Sequence, residues 1–146
     1  MSGKLYVVGT GPGNPELLTV KALKVLLGCP VIFYPVTRKI EGIEKSRALD
    51  TVKNAIDIGS KELVPLEFSM KKNDGEVYEG AKRKCLDFLA QGKDCAFITL
   101  GDPSVFSTAG KFSSLICEAG FCVNFIAGIP SFCQAAASLD VVLCQG

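Results

Sequence analysis

Leu5-Tyr6-Val7-Val8-Gly9-Thr10-Gly11-Pro12-Gly13-Asn14-Pro15 decides how the chain is read. An apolar run enters a glycine-rich turn, and the turn enters a segment with helical spacing. Glycine permits a sharp turn or a close backbone approach. Asn14 offers an N-cap oxygen, and proline is pre-set for the first helical position. Lys4 to Val8 is expected as a buried strand and Pro15 to about Leu27 as a helix, with Leu18, Ala22 and Val25 or Leu26 as its apolar stripe. Cys29-Pro30 ends that helix, and Val31 to Tyr34 forms a second strand. A βαβ unit of this kind demands parallel strands.

The same punctuation recurs at Gly101-Asp102-Pro103 and Gly128-Ile129-Pro130, each after an apolar run and before a helix-like segment. With parallel strands, all three turns fall at one sheet edge. That carboxyl edge is where open α/β sheets bind small ligands, so helix-start amides from three segments are expected to converge on one molecule.

Outward from these turns, Pro35 to Lys45 reads as an exposed loop, Ser46 to Ile58 as a helix, Glu62 to Leu66 as a strand and Ser69 to Gly75 as a polar loop. A helix follows from about Glu76 to Gln91. Val77, Ala81, Cys85, Phe88 and Leu89 share its apolar face, and the Lys82-Arg83-Lys84 run is mainly solvated. After Gly92, a C-cap, come a strand from Asp94 to Leu100, a helix from Ser104 to Ala119, a strand from Phe121 to Ala127 and a helix from Ser131 to Leu139. This alternation specifies an α/β fold with a mainly parallel sheet of about five strands and helices on both faces. Residues 1–127 are expected to form one α/β domain, and 128–146 a linker and the start of a second.

The 146 residues are 48% hydrophobic with a net charge of +1, which gives no electrostatic case for binding nucleic acid or an anionic membrane. Met1-Ser2-Gly3-Lys4 leads into an apolar segment too short for a signal peptide, and no stretch has transmembrane length, so the expected location is cytoplasmic. The seven cysteines form no C-x-x-C pair and are expected as reduced core thiols, with no metal site. Without histidine the chain holds no Ser-His-Asp or Cys-His relay; any general base is Asp, Glu, Lys, Tyr or Cys.

Taken alone, Gly9 to Asn14 is only superficially a dinucleotide-binding turn. Asn14 replaces the third glycine, Pro12 removes an amide that would face pyrophosphate, and Tyr34-Pro35 stands where an acidic residue should end the second strand. No G-K-[ST] follows, which excludes a Walker loop. By itself the turn reads as structural.

Three longer segments taken in order change that reading. Leu5 to Thr19, Thr99-Leu-Gly-Asp-Pro-Ser-Val-Phe-Ser-Thr108 and Gly128-Ile-Pro-Ser-Phe132 resemble the tetrapyrrole methylase family across nearly the whole chain. The resemblance implies S-adenosylmethionine as methyl donor, an active site between two α/β domains, a tetrapyrrole substrate and a homodimer. Tyr34-Pro35, Ser46-Arg47-Ala48 and Val64-Pro-Leu-Glu-Phe-Ser-Met70 look like the members that methylate carbon 20 of precorrin-2 or cobalt-factor II. Alternatives of the same construction methylate uroporphyrinogen III, a modified histidine or ribosomal RNA; a non-catalytic tetrapyrrole-binding module is a further one.

Carried over by residue, the resemblance places Pro12, Gly101, Asp102, Val105, Ser131 and Phe132 around the donor, with Leu100 and Phe106 in apolar contact. Asp102 equally reads as the N-cap of a helix beginning at Ser104. Gly13-Asn14-Pro15 departs from the family's frequent Gly-Asp-Pro, and Gly128-Ile-Pro-Ser from Pro-Gly-Val-Ser. Gly11, Tyr34, Arg38 and Lys39 are expected on the substrate side. The two cations would attract a polycarboxylate or are ordinary surface residues, and Tyr34 contacts the macrocycle or simply closes its strand. The implied reaction is direct displacement at the donor's methyl carbon, driven by alignment in a dry cleft. Asp102 and Tyr34 are nominees for the later proton transfer. A chain of this length alone is expected to be inactive.

Overall fold

The computed structural model describes residues 1–37, 45–68 and 75–146. Its strands are β1 (Leu5–Gly9), β2 (Val31–Thr37), β3 (Glu62–Phe68), β4 (Cys95–Thr99) and β5 (Val123–Ile126). Its α-helices are α1 (Val20–Gly28), α2 (Arg47–Ala55), α3 (Gly75–Ala90), α4 (Ala109–Glu118) and α5 (Ser131–Ser138). The strands form one sheet in the order β3-β2-β4-β1-β5, with every pairing parallel. This is the α/β architecture that the β-α alternation specifies.

Every residue of β4 is buried, as befits a strand covered on both faces. On one face Phe33, Leu66 and Phe97 pack with Tyr78, Ala81, Cys85 and Leu89 of α3 and with Phe112 and Ile116 of α4. Phe97 and Phe112 meet edge to face with centroids 5.0 Å apart, and Phe68 joins them at 5.6 and 5.7 Å, the geometry favoured by ring quadrupoles. On the other face Val8, Ile32, Ala96 and Ile98 pack with Ala22 and Leu26 of α1 and with Ala48, Leu49 and Val52 of α2. α5 buries none of its residues.

Several elements differ from the sequence expectation. The helix expected from Pro15 is interrupted: Pro15–Leu17 forms a 3-10 turn that Asn14 caps through the Glu16 N–H, and α1 begins again behind Thr19, whose hydroxyl accepts the Ala22 N–H. Strand β2 continues through Pro35 to Thr37 rather than ending at Tyr34. Its pairing with β4 has stopped at Phe33, and proline is tolerated where a strand is open on one side. Pro65 fits for the same reason, because β3 is an edge strand. The core thiols are Cys29, Cys85 and Cys95 alone; Cys117, Cys122, Cys133 and Cys144 are exposed, contrary to the expectation of seven buried ones. Burial, aided by the nearby Asp94 carboxylate, pushes Cys29 up to about 11, and burial pushes Cys95 up to about 12. Among the described residues no helix is long and apolar enough to cross a membrane.

Candidate methyl-donor cleft

Because β1 lies between β4 and β5, the loops leaving these three strands are neighbours at the carboxyl edge of the sheet. They are bound together by backbone. Gly101 donates its N–H to the Gly11 carbonyl at 2.7 Å, and Gly11 returns its own to the Gly101 carbonyl at 3.2 Å. Beneath that pair the Thr10 N–H and hydroxyl both donate to the Thr99 carbonyl, at 2.9 and 3.1 Å. Gly101 holds φ at 72°, a left-handed conformation that suits glycine.

The loops enclose a cleft of about 330 Å³. Pro12 borders it from the first loop, Leu100, Gly101, Asp102, Val105 and Phe106 from the second, and Ser131 and Phe132 from the third. The residues expected around the donor are thus brought together in space. Gly11 adjoins the cleft but is buried, with its N–H and C=O both spent on Gly101, so it offers a substrate no free backbone polar group. Tyr34 does not line the cleft; it sits within β2 opposite Pro65 and packs against the core cluster shared by α1 and α2. Arg38 and Lys39 lie outside the described residues.

The helix expected from Ser104 begins five residues later, at Ala109. Phe106 adopts φ of 47°, left-handed and incompatible with a helix, and the Ser107 hydroxyl accepts the Ala109 N–H at 3.0 Å. Residues 103–108 therefore form an irregular loop along the cleft. Sequence reasoning missed Thr99, Ser107, Thr108 and Pro130 as lining residues. Thr99 and Ser107 are linked side chain to side chain at 3.1 Å. Their place inside the Thr99–Thr108 segment was the available signal.

Asp102 caps no helix. Its Oδ1 accepts the Ser104 N–H at 2.9 Å and the Ser104 hydroxyl, and its Oδ2 accepts the Gly128 N–H at 2.9 Å. Partial burial raises its pKa, but the bonds from the Ser104 hydroxyl, the Gly128 N–H and the Ser104 N–H outweigh that and hold the carboxyl below its ordinary value. A carboxylate so engaged is a weak base, which argues against Asp102 as the proton acceptor.

The cleft combines an apolar lining from Leu100, Val105, Phe106 and Phe132 with the hydroxyls of Thr99, Ser107, Thr108 and Ser131. α5 starts at its rim without a side-chain cap, which leaves first-turn amides open to an anionic group. Size and lining suit a ligand with a flat apolar ring, hydroxyls and a carboxylate.

A family model described as Tetrapyrrole (Corrin/Porphyrin) Methylases matches residues 4–146. The chain is 35% identical over 143 residues to the "Probable cobalt-precorrin-2 C(20)-methyltransferase" of Methanocaldococcus jannaschii, covering 98% of this chain and 60% of that protein. It superposes on a cobalt precorrin-4 methyltransferase with a TM-score of 0.74 at 25% identity, covering 98% of this chain and 53% of the other. It also superposes on uroporphyrin-III C-methyltransferase of Thermus thermophilus, complexed with S-adenosyl homocysteine, with a TM-score of 0.66 at 25% identity, covering 92% and 52%. The chain thus spans between about half and three fifths of the length of these three proteins.

Proposed function

Because the chain belongs to the tetrapyrrole (corrin/porphyrin) methylase family, we propose that the whole protein transfers a methyl group from S-adenosylmethionine to carbon 20 of precorrin-2 or its cobalt form in cobalamin biosynthesis. The observation that carries this reading is the convergence of Pro12, Gly101, Asp102, Val105, Ser131 and Phe132, from three separate segments, on one cleft. Identity to the Methanocaldococcus protein supports carbon 20 over other positions.

The donor supplies a methyl group already activated on sulfonium. The chain's part is to bind and aim it. Leu100, Val105 and Phe132 give the cleft apolar lining, the uncapped start of α5 suits the donor's carboxylate, and the hydroxyls of Thr99, Ser107 and Thr108 suit its polar groups. Alignment in a water-poor site contributes to rate without a dedicated acid or base.

α5 buries nothing, and Leu139, Val141, Val142 and Leu143 are exposed. In this reading a second α/β domain covers them and closes the cleft, residues 1–127 forming the first domain and 128–146 the passage into the second. The segment alone then binds the donor weakly, and the working protein is a cytoplasmic homodimer.

Uroporphyrinogen III is the competing acceptor, given the similarity to the Thermus enzyme; the near-neutral charge disfavours RNA. Absorbance spectra recorded on mixing the full-length protein and donor separately with precorrin-2, its cobalt form and uroporphyrinogen III decide between them. Change with either of the first two and none with the third is expected. Change with uroporphyrinogen III alone overturns the carbon-20 assignment.

A further inference from the structure

We infer that Asp102 is a positioning residue whose carboxylate reaches across β1 to tie the β4 and β5 loops together, fixing the separation of the cleft's two walls. The inference rests on the reading of this cleft as the donor site.

β4 and β5 each pair with β1 and not with each other, so no ladder hydrogen bond can join the loops that leave them. Among the described residues the bond from the Gly128 N–H to Asp102 Oδ2, at 2.9 Å, is the only hydrogen bond between those loops. Oδ1 is meanwhile anchored by the Ser104 N–H and hydroxyl, which fixes the carboxylate on its own loop. One end of the tie therefore belongs to the wall of Gly101 and Val105, and the other lies three residues before Ser131.

Gly9, the last residue of β1, completes the device. A Cβ there would lie 2.6 Å from the Gly101 carbonyl oxygen and 2.8 Å from the Gly128 nitrogen, so the two loops close over β1 only because position 9 carries no side chain. Both carboxylate oxygens are engaged within the protein, so Asp102 acts on a bound donor through Gly128 and the start of α5. A direct contact of the Asp102 charge with the donor's sulfonium is the rival role. Asp102→Asn separates the two, because the amide has one acceptor oxygen and opposes the remaining N–H groups with a donor.

The test is calorimetric titration of the full-length protein, Asp102→Asn and Ser104→Ala with S-adenosylmethionine and with S-adenosyl homocysteine, which lacks the positive charge. Asp102→Asn is expected to weaken both ligands by the same factor, about ten-fold or more, at unchanged stoichiometry. Ser104→Ala leaves the Gly128 bond in place and is expected to weaken both equally by about two- to five-fold; it carries the test if Asp102→Asn does not fold. A loss confined to the charged ligand overturns the inference in favour of direct contact, and unchanged affinity for both overturns it outright. Unchanged affinity with a fallen stoichiometry overturns it too, since that marks a role in folding alone. An unsubstituted protein that binds neither ligand overturns the donor-site reading itself and the inference with it.

Discussion

The Gly101 carbonyl oxygen occupies the space that a side chain on Gly9 would need, 2.6 Å from where its Cβ would stand. Two loops from separate strands thus meet over a residue chosen for what it lacks. Gly9→Ala must displace backbone on both sides of the cleft, since the second obstruction is the Gly128 nitrogen. A loss of about 1–3 kcal/mol is expected from this overpacking, read from urea unfolding, together with weaker binding of S-adenosyl homocysteine. Unchanged unfolding and binding would contradict the packing described.

Phe106 presents the opposite case. It is wholly exposed and left-handed at φ of 47°, so its ring contributes no burial while its backbone carries strain. Phe106→Gly relieves the strain and adds unfolded-chain freedom, and stability is expected within about 1 kcal/mol of the parent. Turnover is nevertheless expected to fall, because the ring borders the cleft. Phe112→Ala, in the aromatic cluster, is the contrast: a loss of about 3–5 kcal/mol is expected there. Paired thermal melts and activity assays read both.

The buried thiols set an alkaline limit. Cys29 and Cys95 stay protonated in the folded chain up to about 11 and 12, against 9.0 for the unfolded thiol. Between those values the unfolded state has released protons that the folded state retains, so stability is full below about pH 9 and falls as pH rises toward 11 and 12. Urea midpoints measured from pH 8 to 11 are expected to decline on the alkaline side, and less steeply in Cys29→Ala than in the parent. A flat profile would contradict this.

Thiol accessibility follows the same division. Brief alkylation of the native 146-residue chain near neutral pH, mapped by peptide mass, is expected to modify Cys117, Cys122, Cys133 and Cys144 and to spare Cys29, Cys85 and Cys95. In the full-length protein, protection newly gained at Cys133 is the expected mark of a domain docked on α5; Cys133 labelling equally in both would argue against that arrangement.

Lys61 serves as a control remote from the cleft. Its ammonium donates to the Leu27 and Cys29 carbonyls, both at 2.8 Å, and so satisfies the end of α1. Lys61→Met is expected to cost about 0.5–1.5 kcal/mol in urea unfolding while leaving donor affinity unchanged.

The sheet was legible because its signals are local. Apolar runs, glycine turns and helical stripes each sit within a few residues of one another, and the order of α and β implies parallel pairing. Boundaries set by tertiary context were not legible. Pro35 remains inside β2 because the pairing of β2 with β4 has stopped at Phe33, and no local signal carries that fact. The helix expected at Ser104 was drawn from a proline and an acidic residue that, in the folded chain, serve a loop held by Phe106 and Ser107. Tyr78, expected on no apolar face, is buried under Lys111, whose ammonium lies 4.3 Å from the ring centroid. In the cleft, the Thr99–Thr108 and Gly128–Phe132 segments pointed to residues that line it together. The bond from Gly128 to Asp102 was not legible, because Gly128 is 26 residues away in sequence and follows a strand two places away in the sheet.

The most direct test is an experimental structure of the full-length protein crystallised with S-adenosyl homocysteine. The account predicts the ligand between the Gly101 to Phe106 loop and the Ser131-Phe132 start of α5, with the Asp102 to Gly128 bond intact. Ligand bound elsewhere, or that cleft filled by the protein's own side chains at saturating ligand, would contradict it.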